Sequence, residues 1–157
     1  MTTNNSTITI HTDGVCKRNP GPGSWAAIIE DDKKRFLIAN RVGQTTSQRM
    51  ELTAAVKALS VLNRHVGRPI RLVTDCQVLV KGMTEWLVGW KASGWRKSDG
   101  KPVLNVELWR QLDVFNEKHT ITWEWVRGHN GHHGNEEADA LANRALIEGR
   151  ISEEVYL

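Results

Sequence analysis

The apolar residues of this chain change period along its length, and that change limits what it can fold into. In residues 7–13, TITIHTD, Ile8 and Ile10 alternate with polar neighbours, as in a strand with one buried face. The turn GVCKRNPGPG follows, dense in Gly and Pro. SWAAIIE and KRFLIAN are two further strands joined by Asp31-Asp32-Lys33, which predicts a hairpin. Over residues 48–63 the period becomes helical. Leu52, Val56, Leu59 and either Ala55 or Leu62 share one face, and Arg68-Pro69 ends the segment. IRLVTD, 70–75, is a short apolar run suited to a strand covered on both sides. Residues 76–90 read as helix, and a basic Trp-rich segment follows. The chain then reads as a helix over about 103–118, the strand TITWEWV and a closing helix. The order βββαβααβα predicts an α/β fold with antiparallel and parallel strands in one sheet.

A chain of 157 residues of this kind is expected to form one domain, 1–157, without repeat or linker. No apolar run approaches the roughly 20 residues that span a bilayer, and the polar start MTTNNST does not read as a signal peptide. Two isolated cysteines, Cys16 and Cys76, fit a reducing compartment, so the expectation is a cytoplasmic protein with no membrane association. The net charge of +3 is small but unevenly spread. KASGWRKSDGK, 91–101, sets Lys91, Arg96, Lys97 and Lys101 against Asp99 alone, whereas 136–157 is acidic. Such asymmetry suits a polyanionic partner.

Two strands end alike, in Thr-Asp at Asp13 and at Asp75. One such Asp commonly caps a turn and does nothing more. If the two strands lie parallel and adjacent, both carboxylates meet at the carboxyl edge of the sheet, where open α/β sheets bind ligands. Close carboxylates repel, and a cation compensates. All-oxygen donors select Mg²⁺ or Mn²⁺ over zinc. Glu51 at the start of the first helix and Asp139 in the last are further candidates.

A zinc site is the alternative in VRGHNGHHGNEEADALANRAL, where His129 and His133 lie at helical spacing. Gly128, Gly131 and Gly134 argue against a helix there, each costing about 1 kcal/mol in a helix interior. The glutamate of the HExxH pattern is also missing. The expectation is a loop, then a helix opening near Asn135 with Glu136 and Glu137 in its first turn, delivering Asp139.

The motifs TDG-x-C-x-x-NPGPG, RMEL, TD-x-Q and GH-x-GH-x-x-NE-x-x-D-x-LA, with the Trp-rich TEWLVGWKASGWRKSDGKPVLNVELW between them, resemble bacterial type 1 ribonuclease H from about Ile8 to Leu146. The resemblance implies a ribonuclease H-like fold: a five-stranded mixed sheet, three strands antiparallel and the rest parallel, flanked by helices, with a basic Trp-rich protrusion. It implies a monomeric endonuclease that cuts the RNA strand of RNA/DNA hybrids by a two-metal-ion mechanism, leaving 5′-phosphate and 3′-hydroxyl ends. By resemblance Asp13, Glu51, Asp75 and Asp139 carry two Mg²⁺ ions, with Mn²⁺ able to substitute, and Asp13 is the bridging ligand. His129 would act in proton transfer or product release, while His132 and His133 would do little. Cys16, Asn19, Ser47, Gln48 and Gln77 would line the minor groove, reading 2′-hydroxyls of the RNA. The DNA strand would run along Thr46, Asn105, Trp86 and Trp109, with Lys91, Arg96 and Lys97 on its phosphates. Trp90 and Trp95 are expected to pack, as is at least one of Trp123 and Trp125. The chain departs from the family's pattern at Val15, Arg18, Ser47, Ala92 and Ser93, none of which touches the acids. A hybrid-binding module without catalysis and another nuclease of the same fold are the competing readings.

Overall fold

The computed structural model describes residues 6–64 and 67–157. Strands β1 (Ile8–Cys16), β2 (Gly21–Glu30) and β3 (Lys34–Thr45) form an antiparallel meander. Asp31 closes the β2–β3 hairpin, its Oδ1 accepting from the backbone N–H groups of Lys33 at 2.9 Å and Lys34 at 3.0 Å. Helix α1 (Ser47–Val61) follows, capped by Thr46, whose Oγ1 accepts from Arg49 N at 3.2 Å. Every residue of its predicted apolar face is buried: Leu52, Ala55, Val56, Leu59 and Leu62. Strand β4 (Ile70–Thr74) then pairs parallel with β1.

Residues 77–92 are helical, as expected, but broken into three pieces. Helix α2 (Gln77–Lys81), a π-helical turn (Gly82–Trp86) and helix α3 (Leu87–Ala92) run in succession. After the protrusion come helix α4 (Val106–Lys118), strand β5 (Ile121–Trp125) and helix α5 (His133–Glu148).

The sheet has six strands in the order β5-β4-β1-β2-β3-β6, one more than expected. Strand β6 (Ile151–Tyr156) is the addition, antiparallel to β3 at the sheet edge. ISEEVY lacks a clean apolar alternation and falls in the acidic stretch 136–157, so no strand is expected there. Tertiary ion pairs neutralise its acids: Glu153 with Arg144 at 2.6 Å and Glu154 with Lys34 at 3.2 Å. Such an edge strand needs a buried partner on one side only.

Two cores flank the sheet. The larger lies on the α1–α4 side and includes Ile10, Leu52, Leu59, Leu72, Trp109 and Leu112. The smaller lies under α5 and is rich in alanine: Ala26, Ala39, Ala138, Ala142 and Ala145. Small side chains let this helix sit low enough for Ser24 Oγ to donate to Ala142 O at 2.5 Å.

Candidate active site

The β1–β4 register runs from Ile8 opposite Ile70 to Thr12 opposite Thr74. Asp13 and Asp75 are each the next residue, so the two carboxylates emerge side by side at the carboxyl edge. Glu51 reaches them from the first turn of α1. One ligand oxygen from each of Asp13, Glu51 and Asp75 lies within 4.8 Å of the others. Close backbone contact makes this possible. A Cβ on Gly14 would stand 2.5 Å from Glu51 N, so α1 rests directly on β1 at a position that only glycine can fill. Gly14 N also donates to Glu51 Oε1 at 3.0 Å and to Asp13 Oδ1 at 2.9 Å.

The loop after β5 closes the other side. A Cβ on Gly128 would lie 2.6 Å from Asp75 Oδ2, so again a glycine permits the approach. Trp125 Nε1 donates to the Asp75 carbonyl at 3.0 Å and braces that strand end. Sequence reasoning assigned Trp125 no such task, and a tryptophan alternating on a strand is its only signal there. Trp123 packs against the core, as do Trp90 and Trp95.

Electrostatics follow from this crowding. Burial, with the Asp75 and Asp139 carboxylates beside it, pushes Asp13 up to about 8 despite a hydrogen bond with Glu51. Burial and then the Asp13 charge hold Glu51 well above the ordinary carboxylate range. Glu51 Oε2 is buried, and no N–H or hydroxyl donates to it. Two carboxyls whose charge is disfavoured, set beside a third and with one buried oxygen lacking a donor, are what a hard divalent cation fits. Asp139 stands outside the tight trio, on the second turn of α5, with Asn143 Nδ2 donating to its carbonyl at 2.9 Å.

Helix α5 begins at His133 rather than near Asn135, and its N-cap is His132. His132 Nδ1 accepts from Asn135 N at 3.2 Å, so this nitrogen is engaged by the helix. Its ring also packs on buried His11, the centroids 5.5 Å apart. Asn135 is therefore inside the helix and buried, not its cap. His129 is exposed in the loop with a left-handed φ of 56°.

The remaining predicted residues divide. Ser47 and Gln48 line a pocket with Glu51, Asp75, Cys76, Val78 and Gly128. Asn19 Oδ1 accepts from Ser47 N at 2.8 Å, tying the β1–β2 turn to α1. Gln77 is exposed at the start of α2, and Thr46 is half-buried at the α1 cap. Cys16 Sγ is turned to backbone, donating to Arg18 O at 2.6 Å. Asn105 adopts a left-handed φ of 60° and accepts from Arg49 Nη1 at 2.9 Å. Trp86 is exposed, as are Arg96 and Lys97. One expectation needs correction, and for a second the surroundings matter. Trp109 is only 1% exposed, and its ring packs behind Trp90 at 5.0 Å between centroids, so it supports that surface and does not face a strand. Lys91 Nζ is committed to Asp113 at 3.1 Å and Glu117 at 2.6 Å, which offsets the charge it would bring to a phosphate.

A family model described as RNase H matches residues 5–147. Ribonuclease H of Maricaulis maris (strain MCS10) is 50% identical over 145 residues, 92% of this chain and 97% of that protein. Ribonuclease HI of Caulobacter vibrioides is 51% identical over 140 residues, 88% of this chain and 92% of its own. Among solved structures, LC9-RNase H1, a type 1 RNase H with the type 2 active-site motif, matches with a TM-score of 0.81 at 26% identity, over 98% of this chain and 80% of that one. LC11-RNase H1, solved in complex with an RNA/DNA hybrid, shares the fold with a TM-score of 0.67 at 21% identity, over 90% of this chain and 97% of that one. Sequence identity over nearly the whole chain, on a fold that gathers three carboxylates at one sheet edge, makes this protein a member of the RNase H family.

Proposed function

We propose that this chain is a single-domain endoribonuclease that hydrolyses the RNA strand of RNA/DNA hybrids, giving 5′-phosphate and 3′-hydroxyl ends. The observation that carries the reading is the Asp13–Glu51–Asp75 cluster, buried enough to need a cation yet open beside Ser47 and Gln48. Family membership and the relatives' shared name support the same reaction.

Asp13, Glu51, Asp75 and Asp139 would hold the divalent ions, two Mg²⁺ in our reading with Mn²⁺ as substitute. When bound, such ions offset the carboxylate charge and polarise the phosphate and the attacking water. The protein's own part is positional. Gly14 and Gly128 let Glu51 and Asp75 approach, and the Gly14 N–H and Trp125 indole hold them in place. His129, on its exposed loop, carries a proton or clears product rather than acting as the essential base. Ser47, Gln48, Gln77, Asn19 and Cys16 face the RNA side of the groove, Cys16 through backbone groups. Thr46, Asn105 and Trp86 line the DNA side, with Arg96 and Lys97 on phosphates. These contacts are to backbone and sugar, so little sequence preference is expected.

The two thiols are free, which suits a reducing compartment, and we place the enzyme in the cytoplasm as a monomer. No helix among the described residues is long and apolar enough to cross a membrane. Cleavage of hybrid, double-stranded RNA, single-stranded RNA and double-stranded DNA in parallel, with and without Mg²⁺ or Mn²⁺, tests the reading. Only the hybrid should be cut, on its RNA strand, and only with metal. Equal cutting of double-stranded DNA would overturn it.

A further inference from the structure

The turn between β1 and β2 carries Lys17 and Arg18 side by side, both exposed. Several cations around the site have acidic partners. Arg49 pairs with Glu107 at 2.5 Å, Lys91 with Asp113 and Glu117, and Lys97 lies 3.7 Å from Asp99. Among the described residues no carboxylate pairs with Lys17 or Arg18. Their charge is therefore available to an outside anion.

The turn is also held in place. Lys17 N donates to Pro22 O at 2.9 Å, and Asn19 Oδ1 takes the Ser47 N–H at 2.8 Å. Cys16 Sγ is tucked against the carbonyls of Arg18, Gly21 and Thr45. A phosphate bound here would order little more than two side chains. Ser47 and Gln48 line the pocket that holds Glu51 and Asp75, so the turn abuts one end of that groove. A strand rises roughly 3.3 Å per residue, which puts Lys17 on the order of 13 Å from Asp13 along β1. A duplex carries a phosphate about every 3.4 Å of its axis on each strand. One whose scissile phosphate sits at the carboxylates and which extends toward Ser47 thus brings further phosphates to the turn.

We propose that Lys17 and Arg18 form a second phosphate-binding element, which holds the backbone of the bound hybrid at the Ser47–Gln48 end of the catalytic groove. It rests on the hybrid as substrate, as proposed above. It shares the electrostatic work with the protrusion, whose Lys91 is already paired.

The test is hybrid binding by anisotropy across a salt series, with divalent ions chelated so that no strand is cut. Wild type, K17A/R18A and K17E/R18E are compared with Lys33→Ala, an exposed lysine in the β2–β3 turn at the other end of the sheet. Each phosphate contact contributes about 0.9 to the slope of log affinity against log salt. K17A/R18A should lower that slope by roughly one to two units and weaken binding on the order of tenfold or more at low salt, converging with wild type at high salt. Charge reversal should weaken binding further, and Lys33→Ala should leave the slope in place. Wild-type slopes in both turn variants, with the wild type binding hybrid, would overturn the proposal. An equal loss per charge in Lys33→Ala would also overturn it, because the effect would then be one of net charge. A wild type that neither binds nor cuts hybrid would instead remove the substrate reading, and this element with it.

Discussion

Asp13 is the residue at which burial and neighbouring charge act in the same direction. Its carboxyl rises from 3.8 to about 8, so between those values the folded chain keeps a proton that the unfolded chain has lost. Stability from this group is complete below about pH 4 and is lost as pH rises through about 8. Without metal, the Tm should therefore fall between pH 5 and pH 8, read by thermal melts in chelator. Asp13→Asn should flatten that fall, raise the Tm at pH 8 and abolish cleavage. Turnover at the wild-type rate in this variant would remove Asp13 from the centre. His132 is a second residue whose place was not evident. A side-chain cap is worth about 1 kcal/mol, so His132→Ala should cost on the order of that amount. His133 is fully at the surface, 3.6 Å from Glu137, and His133→Ala should shift the denaturation midpoint far less.

At the scale of elements, the π-helical turn and the protrusion depend on Trp109. A Cβ on Gly82 would run into the Trp109 ring, so the turn packs on that indole through glycine alone. Overpacking of this kind costs about 1–3 kcal/mol. Gly82→Ala should lower stability by that order and displace Trp90 and Trp86, whose rings continue the stack at 5.8 Å. Indole fluorescence and a denaturant midpoint would show both effects, and an unchanged midpoint would mean that the turn yields freely. Ala92 and Ser93 sit where α3 ends. Ser93 Oγ donates to Trp90 O at 3.2 Å and Arg96 O at 2.7 Å, which makes Ser93 a brace and not simply a missing cation. Ala92→Lys should thus steepen the salt dependence of hybrid binding by up to about 0.9, whereas Ser93→Lys should also loosen the loop. Lys91→Ala should change the slope by less than a full contact, since its charge is already met by two acids.

For the whole molecule, the metal centre and the fold are coupled. Anything that binds the folded state alone stabilises it, by about 2.7 kcal/mol at a ligand concentration 100 times its Kd. Mg²⁺ or Mn²⁺ should raise the Tm, and more at pH 8 than at pH 5.5, because the carboxylates then bind without first releasing a proton. A Tm indifferent to both ions at pH 8 would remove the Asp13–Glu51–Asp75 cluster as their site.

Much of this architecture was legible in the chain itself. The alternation in TITIHTD, the helical face from Leu52 to Leu59 and the Thr-Asp endings fixed element types and named the acids, because those signals are local and periodic. The motifs around Asp13, Glu51, Asp75 and Asp139 pointed to the family. What the chain could not show depends on partners distant in sequence. β6 became a strand because β3 offered an edge and Arg144 and Lys34 offset its acids. His132, not Asn135, caps α5 because the loop folds back over His11. Trp109 is buried and Lys91 is paired because α4 lies against α1 and α3, which no local pattern records. Sequence alone thus determined which side chains could do the chemistry. Only the tertiary structure, through the β1–β4 register and the close approach at Gly14 and Gly128, decided that they meet, how far their charges are shifted, and which cations remain free for a polyanion. Coulombic and packing energies depend on distances in space, and the sequence fixes those only once the chain has folded.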